Sequence, residues 1–336
     1  MTILLGCGAK FESSSNLPQP ATDLESRPPV PRLDLDICGP LDFSRGEFPS
    51  QFSITQARAL ALGLSITGSF EGHESWNTIA NNFDDQGMSL GLLQQNFGQG
   101  SLQPLLITMN KKDPIAFASF FSPDNLVSLT QMLAQYQTNA LSILDSSSIP
   151  LFPLQKALSP LDNDFVDANM SALAVQNSSS LKSVTWALNN IYSDRGVTFK
   201  IDWKNSFQNL ADSTPYRSLQ LEAAAHIFER AQNYAKVFSF HELRLVLLMF
   251  DFVVQNGGFN TSHLAAYKRY QQSNPQATAT DRAFKLLEIR LASVRSEYQE
   301  DVRRRKTTII MSTGTVHQAS RHLPSEYCYD PLEPVL

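Results

Sequence analysis

The chain predicts a mainly α-helical protein with one small β element, an α+β arrangement in which helices supply most of the frame. Three observations lead there. Apolar residues recur at helical spacing through several long runs, and a short glycine-punctuated stretch near residue 83 alternates instead. With 336 residues, 42% of them hydrophobic and 10% aromatic, the chain can build a substantial core, and a large domain or two lobes is expected.

Residues 1–50 read as an extended arm. The stretch "SSSNLPQPATDLESRPPVPRLDLDICGP" is rich in Ser and Pro, so it resists helix and offers little to bury. Its start, "MTILLGCGAK", contains the tetrad LLGC, which has the form of a lipoprotein cleavage site. Few apolar residues and no basic stretch precede Cys7, so the match is expected to be chance. Export would then need a dedicated machine or a partner.

The folded part, 51–322, opens with "SITQARALALGLSITGSFEG". Ser53 or Thr55 is the candidate N-cap, Ala57, Leu60, Leu64 and Ile66 fall at helical spacing, and Gly68 and Gly72 mark where the helix gives out. Glu71 then sits at a helix C-terminus, where the dipole disfavours an anion. From Phe83 to Leu93 the glycines at 87 and 91 and the short alternation predict a turn and a small hairpin. Beyond Gln103 the chain reads as helices, among them "PDNLVSLTQMLAQYQTNALSIL", "LQLEAAAHIFERAQNYAKVF", "FHELRLVLLMFDFVVQNGG" and "TDRAFKLLEIRLASVRSEYQEDVRRRKTTII". Residues 323–336 read as a C-terminal tail.

Charge narrows the function. A net charge of −5 argues against a general nucleic-acid binder, which needs a basic surface, and suits neutral or cationic partners. No run approaches the roughly 20 apolar residues of a membrane span. Cys7, Cys38 and Cys328 leave two states open, one pair with a thiol over or three reduced thiols. Their scattered spacing makes the reduced state the expectation, and neither they nor His73, His241 and His317 have the spacing of metal ligands. No glycine-rich phosphate loop and no serine nucleophile elbow occurs, so phosphoryl transfer and serine hydrolysis lack support.

The informative region is "GSFEGHESWNTIANNFDDQGMSLGLLQQNFGQGSL", residues 68–102, where a chain only 18% charged places Glu71, Asp84 and Asp85 at its joints. A helix-end acid facing a carboxylate on a short hairpin suits glycosidic bond cleavage. One carboxyl must stay protonated to donate to the leaving oxygen, and the other ionised to activate water or stabilise positive charge. Ile66 and Phe70 offer Glu71 apolar walls, whereas Asp84 keeps polar company in Asn81, Asn82 and Gln86.

These residues resemble a family. "SFEG…NNFDDQGMSLGLLQ" is similar to the catalytic core of the family 46 chitosanases and related lysozyme-superfamily hydrolases. Phe83–Leu106 resembles still more a bacterial and phage group of peptidoglycan-cleaving proteins, with patterns such as "NFDGQGISFG(L/I)LQWNFGQGTLQPLL". The resemblance implies a two-lobed, lysozyme-like helical fold with the hairpin at an active-site cleft. It implies Glu71 as general acid, Asp84 as the base that activates water, and Ser89 as the residue orienting that water. Asp85, Gln86, Gln94, Gln95 and Asn96 are then substrate-binding candidates, with no metal and no cofactor. The chain departs from the pattern at Asp85, where the family has Gly, and at Gln95, where it has an aromatic. Asp85 either perturbs Asp84 or is itself the base. The Glu71–Asp84 spacing is also shorter than in typical chitosanases.

The plainer readings are turn chemistry for the two aspartates and backbone bonding for Glu71. The run 303–306, "RRRK", is expected to be a solvated face or to pair with Glu297, Glu300 and Asp301. Asp251, set among apolar residues, needs a buried partner, and an arginine from 303–305 is the expectation. The expected function is hydrolysis of β-1,4 links in peptidoglycan at the cell wall, exported, periplasmic or delivered to target cells as an antibacterial effector with unknown secretion-system or immunity-protein partners. Chitosan hydrolysis and non-catalytic cell-wall binding are the alternatives.

Overall fold

Helix α1 (Ile54–Glu71) begins where its cap dictates. Ser53 is extended (φ −67°, ψ 162°); its hydroxyl accepts from the Gln56 amide, and the Gln56 side chain accepts from the Ser53 amide. Gly72, at φ +71°, ends the helix by donating its N–H to the Gly68 carbonyl. Gly68 itself lies inside the helix. The computed structural model describes residues 34–72, 75–144 and 179–335, so Cys7 and His73 fall outside the described residues.

A three-stranded antiparallel sheet follows: β1 (Ile79–Ala80), β2 (Ser89–Leu90) and β3 (Gln95–Asn96), in that spatial order. Ser89 pairs with Ala80 on one side and Asn96 on the other. Helices α2 (Leu102–Lys112), α3 (Pro114–Ser119) and α4 (Pro123–Leu144) come next, then α5 over residues 179–190, α6 (Ile201–Asp212) and α7 (Thr214–Val237). The C-terminal part adds α8 (Leu243–Asn256), α9 (Thr261–Ser273), α10 (Ala279–Leu291), α11 (Ser296–Met311), a hairpin β4 (Thr313–Val316) and β5 (Ala319–His322), and α12 (Leu323–Tyr327). The mainly helical reading is what the structure shows.

Two hydrophobic cores organise these elements. The first packs α1 against α8 and the C-terminal helices; the second joins Met88, Leu90 and Phe97 to residues of α2–α6. Helix α7 serves both, with Tyr216 and Leu219 in the second and Leu221, Ala224 and Phe228 in the first. Glu71 therefore ends an element of the first core, while Asp84 precedes strand β2 of the second. At the α1–α8 crossing a Cβ on Gly63 would lie 2.9 Å from the Phe250 ring, so the close approach needs glycine.

The structure departs from the sequence reading in five places. The run 280–310 is two helices, with no Gly or Pro at the break; the Gln299 side chain instead donates to the carbonyls of Leu291 and Val294. The β4–β5 hairpin escaped notice because its turn residues, His317 (φ +49°) and Gln318 (φ +68°), lack the glycine that usually announces such a turn. Of the arm, residues 1–33 lie outside the described residues, while 34–50 belong to the packed unit, with Leu35, Leu41 and Phe43 buried and Trp76 donating to the Asp42 carbonyl. The tail is also packed: Leu323, Tyr327 and Tyr329 are buried, and the Leu243 amide donates to the Glu333 carbonyl. Finally, Cys38 and Cys328 form a disulfide across 290 residues of sequence, which corrects the expectation of reduced thiols. Spacing along the chain carries no trace of a pairing between its two ends.

Candidate active site

Glu71 is held from behind by charge. Arg305 of α11 donates to its Oε1 at 3.1 Å, and the Glu71 side chain keeps 26% exposure against 3% for Arg305. The guanidinium also lies 5.4 Å from the centre of the Phe70 ring. Phe70 and Ile66 are buried as anticipated, but a guanidinium, and not hydrocarbon alone, meets the carboxyl.

Behind Arg305 lies Asp251 of α8, wholly buried. It accepts from Arg305 at 2.6 Å, from the Thr67 hydroxyl at 3.1 Å and from Lys306 Nζ. Burial pushes the Asp251 carboxyl up, but Arg305 and Lys306 outweigh that and hold it at about 2. Burial likewise opposes the charge on Arg305, and Asp251 and Glu71 raise its pKa despite it. Lys306 is drawn below the ordinary lysine value by burial, which its pairing with Asp251 only partly offsets. Its ammonium also donates to Gln255 at 2.7 Å. The expected arginine partner of Asp251 is thus Arg305. The run 303–306 divides: Arg304 pairs with Glu300 on the surface, whereas Arg305 and Lys306 are buried. The contact of Arg305 with Glu71 had no signal in the sequence, since 234 residues separate them.

The second carboxylate is presented differently. Asp84 and Asp85 are exposed in the loop between β1 and β2. Asp84 Oδ1 accepts from the Gln86 amide at 3.2 Å, and the Gln86 side chain donates back to the Asp84 carbonyl. Asp85 sits at φ +61°, strained for a non-glycine residue, and Gly87 follows at φ +83° with its amide on Asn82 Oδ1. The loop is pinned to residues 194–198: the Asn82 amide donates to the Gly196 carbonyl and the Asn81 side chain to the Val197 carbonyl. Tyr192 donates to the Gly87 carbonyl at 2.6 Å; burial, together with the Asp84 and Asp194 carboxylates, raises its pKa. Phe83, immediately before Asp84, is 79% exposed, and Val197 is exposed in the segment to which the loop is bonded.

The remaining candidates lie on the sheet. Ser89, Gln95 and Asn96 are buried. Asn96 spends its side chain on the turn, accepting from the Gln99 amide and donating to the Gln94 carbonyl. Gln94, at φ +47°, donates to the Gly91 carbonyl at 2.7 Å. The sheet is fastened to α7 by buried Gln220, which accepts from the Leu92 amide and donates to the carbonyls of Trp76 and Ala211. Gly91 (φ +81°) makes room for it, since a Cβ there would stand 2.2 Å from Gln220 Oε1.

Asp84, Asp85 and Gln86 thus share one exposed loop, and Ser89, Gln94, Gln95 and Asn96 share the adjoining strands and turn. Glu71 lies apart from them in the fold's organisation, at the end of α1 in the other core, where it pairs with Arg305. Sequence reasoning missed Arg305 behind the acid, and Tyr192 and Phe83 at the loop. Phe83 alone had a signal, as a large apolar residue inside a polar turn. Among the described residues, no three His, Cys, Asp or Glu side chains cluster to hold a metal ion, and no helix is long and apolar enough to cross a membrane. Comparison with family models, with curated proteins and with solved structures finds no match for this chain.

Proposed function

We propose that the protein is a glycoside hydrolase that cleaves β-1,4 links in an amino-sugar polymer, with peptidoglycan as its substrate, on a two-lobed, lysozyme-like frame. The observation that carries this reading is the unequal pair of carboxylates. Glu71, partly exposed, is oriented by a buried guanidinium at the end of one core's helix. Asp84 is exposed on a loop that leads into the other core.

In this reading Glu71, whose Oε1 faces Arg305, carries its proton on Oε2 and gives it to the glycosidic oxygen as the bond to the anomeric carbon breaks. Asp84 takes a proton from a water that attacks that carbon from the opposite face, so configuration inverts. Arg305 fixes the direction of the Glu71 carboxyl, and Ser89 lies at the strand where the loop returns. Asp85 is the competing base. Phe83 offers an apolar face at the loop's lip on which a pyranose ring can stack. The Cys38–Cys328 disulfide supports work outside the reducing cytoplasm, at a cell wall reached by export or by delivery into a target cell.

The test is digestion of purified peptidoglycan and, in parallel, chitosan, with products identified by mass spectrometry for wild type and Glu71→Gln. Muropeptides with reducing N-acetylmuramic ends, absent with the variant, establish a muramidase. Glucosamine oligomers move the substrate to chitosan. No product from either polymer leaves a binding protein in place of an enzyme.

A further inference from the structure

The disulfide does more than tie down two ends. Cys328 follows α12, and the residues just before it rest on the last turns of α1. Tyr327 donates its hydroxyl toward the Ser65 carbonyl at 3.5 Å. Arg321 donates to the Ser69 hydroxyl at 3.0 Å and to the Tyr327 hydroxyl at 3.1 Å, and its guanidinium lies 5.1 Å from the centre of the Phe70 ring. Phe70 therefore meets Arg321 and Arg305, and Glu71 is the next residue. On the other side of the bond, the Cys38 amide donates to the Tyr327 carbonyl at 3.1 Å, so segment 34–50 is tied to the C-terminal segment that rests on α1. Further back, Arg58 of α1 pairs with Glu333 and reaches the Cys328 carbonyl. Both cysteines are exposed, so a solution thiol can reach the bond.

We propose that Cys38–Cys328 is a redox switch on the candidate acid: the oxidised bond braces the end of α1, and its reduction releases the brace and silences the site. The inference rests on Glu71 acting as the general acid. The chemistry is thiol–disulfide exchange. One cysteine thiolate attacks a small or protein disulfide to give a mixed disulfide and releases one thiol. The second cysteine then displaces the other thiol as the Cys38–Cys328 bond forms. Two electrons pass to the oxidant, and the protons end on the two released thiols. A chain made in a reducing compartment is then dormant until it meets a disulfide oxidant, which suits an enzyme whose substrate lies outside the cytoplasm.

The experiment uses the full chain carrying Cys7→Ser, so that only one pairing is available. Thermal midpoint, hydrogen exchange and polymer hydrolysis are measured oxidised, after reduction with a phosphine, and after reoxidation with glutathione disulfide. Reduction is expected to lower the midpoint by about 4–12 °C. It should speed exchange in the last turn of α1 more than in α8, and cut hydrolysis at least tenfold, reversibly. Arg321→Gln keeps the disulfide but removes the contacts to Ser69 and Tyr327 and the ion pair with Glu326, and should lower hydrolysis with the disulfide intact. Unchanged hydrolysis on reduction, or full hydrolysis by Arg321→Gln, overturns the switch. If the oxidised protein cleaves neither polymer, the glycosidase reading fails, and exchange in α1 then decides the brace by itself: equal protection in both redox states overturns it.

Discussion

The two carboxylates at the candidate site are built in opposite ways. Glu71 stands at the exposed end of a chain of charge that runs inward through Arg305 to Asp251 and Lys306, and every link is buried and paired. Asp84 stands in a loop hydrogen-bonded to residues 194–198, and its exposed carboxylate accepts from the Gln86 amide of its own turn. The first region stakes stability on electrostatics, because each buried charge is tolerable only while its partner stays. The second does not, because water already solvates its carboxylate. An acid that must be aimed and a base that must meet water have different needs, and the two regions differ in that sense.

The largest effect that can break this comparison is catalytic. Glu71→Gln removes the transferable proton yet keeps an oxygen for Arg305, and is expected to lower hydrolysis about 10²–10⁴-fold. Asp84→Asn should do as much, and Asp85→Asn far less. Rates on a soluble oligosaccharide for the three variants decide it. If Asp85→Asn is the damaging change, the base has been misassigned.

Stability comes next, and here the regions should part. Asp251→Asn leaves buried Lys306 without its counter-charge and takes one of two from Arg305, at an expected cost of about 3–5 kcal/mol. Asp84→Asn should stay within about 0.5 kcal/mol, since an amide oxygen can still accept from Gln86. Urea denaturation of both variants checks this. Equal costs would mean the loop carries more of the fold than its exposure suggests.

The network behind Glu71 was half legible in the sequence. A buried Asp among apolar residues requires a cation, so an arginine from 303–305 followed from physical chemistry alone. Its second contact, with Glu71, did not, because helical periodicity predicts which face of α11 is buried but not which distant helix end it meets. The same limit applies elsewhere. Ser53 and Gly72 were among the cap and stop candidates because such signals are local, although Thr55 and Gly68 carried the same signals. The break at 292–295 and the His317–Gln318 turn were not, because side-chain bonds and strained non-glycine residues took the place of Gly and Pro. The disulfide joins residues whose proximity only the finished fold creates.

Acid should expose the same contrast more gently. The carboxyl of Asp251 is held at about 2 in the fold, below its unfolded value near 3.8. A depressed carboxylate contributes stability above its unfolded value and loses it as pH falls through the folded one. The window is therefore about pH 4 down to pH 2, and the share lost is about 2 kcal/mol. Comparing the pH dependence of unfolding in wild type and Asp251→Asn isolates that share, since the variant lacks the titrating group. Identical slopes would remove Asp251 from the acid response.

The smallest expected effect bears on the exposed loop. Phe83 gains little from the fold at 79% exposure, so Phe83→Ala should change stability by less than about 0.5 kcal/mol. A phenyl ring at that spot is still informative, because Asn81, Asn82 and Gln86 around it are hydrogen-bonded while the ring itself faces solvent. If the ring carries a sugar, its loss should raise KM several-fold and leave kcat nearly intact, because stacking on an unreacting ring holds ground state and transition state alike. Phe83→Tyr should restore KM, since it returns the aromatic face, whereas Phe83→Leu should restore it only in part. An unchanged KM in Phe83→Ala would reduce the ring to a solvated bystander and leave this loop's claim on the substrate to Asp84, Asp85 and Gln86.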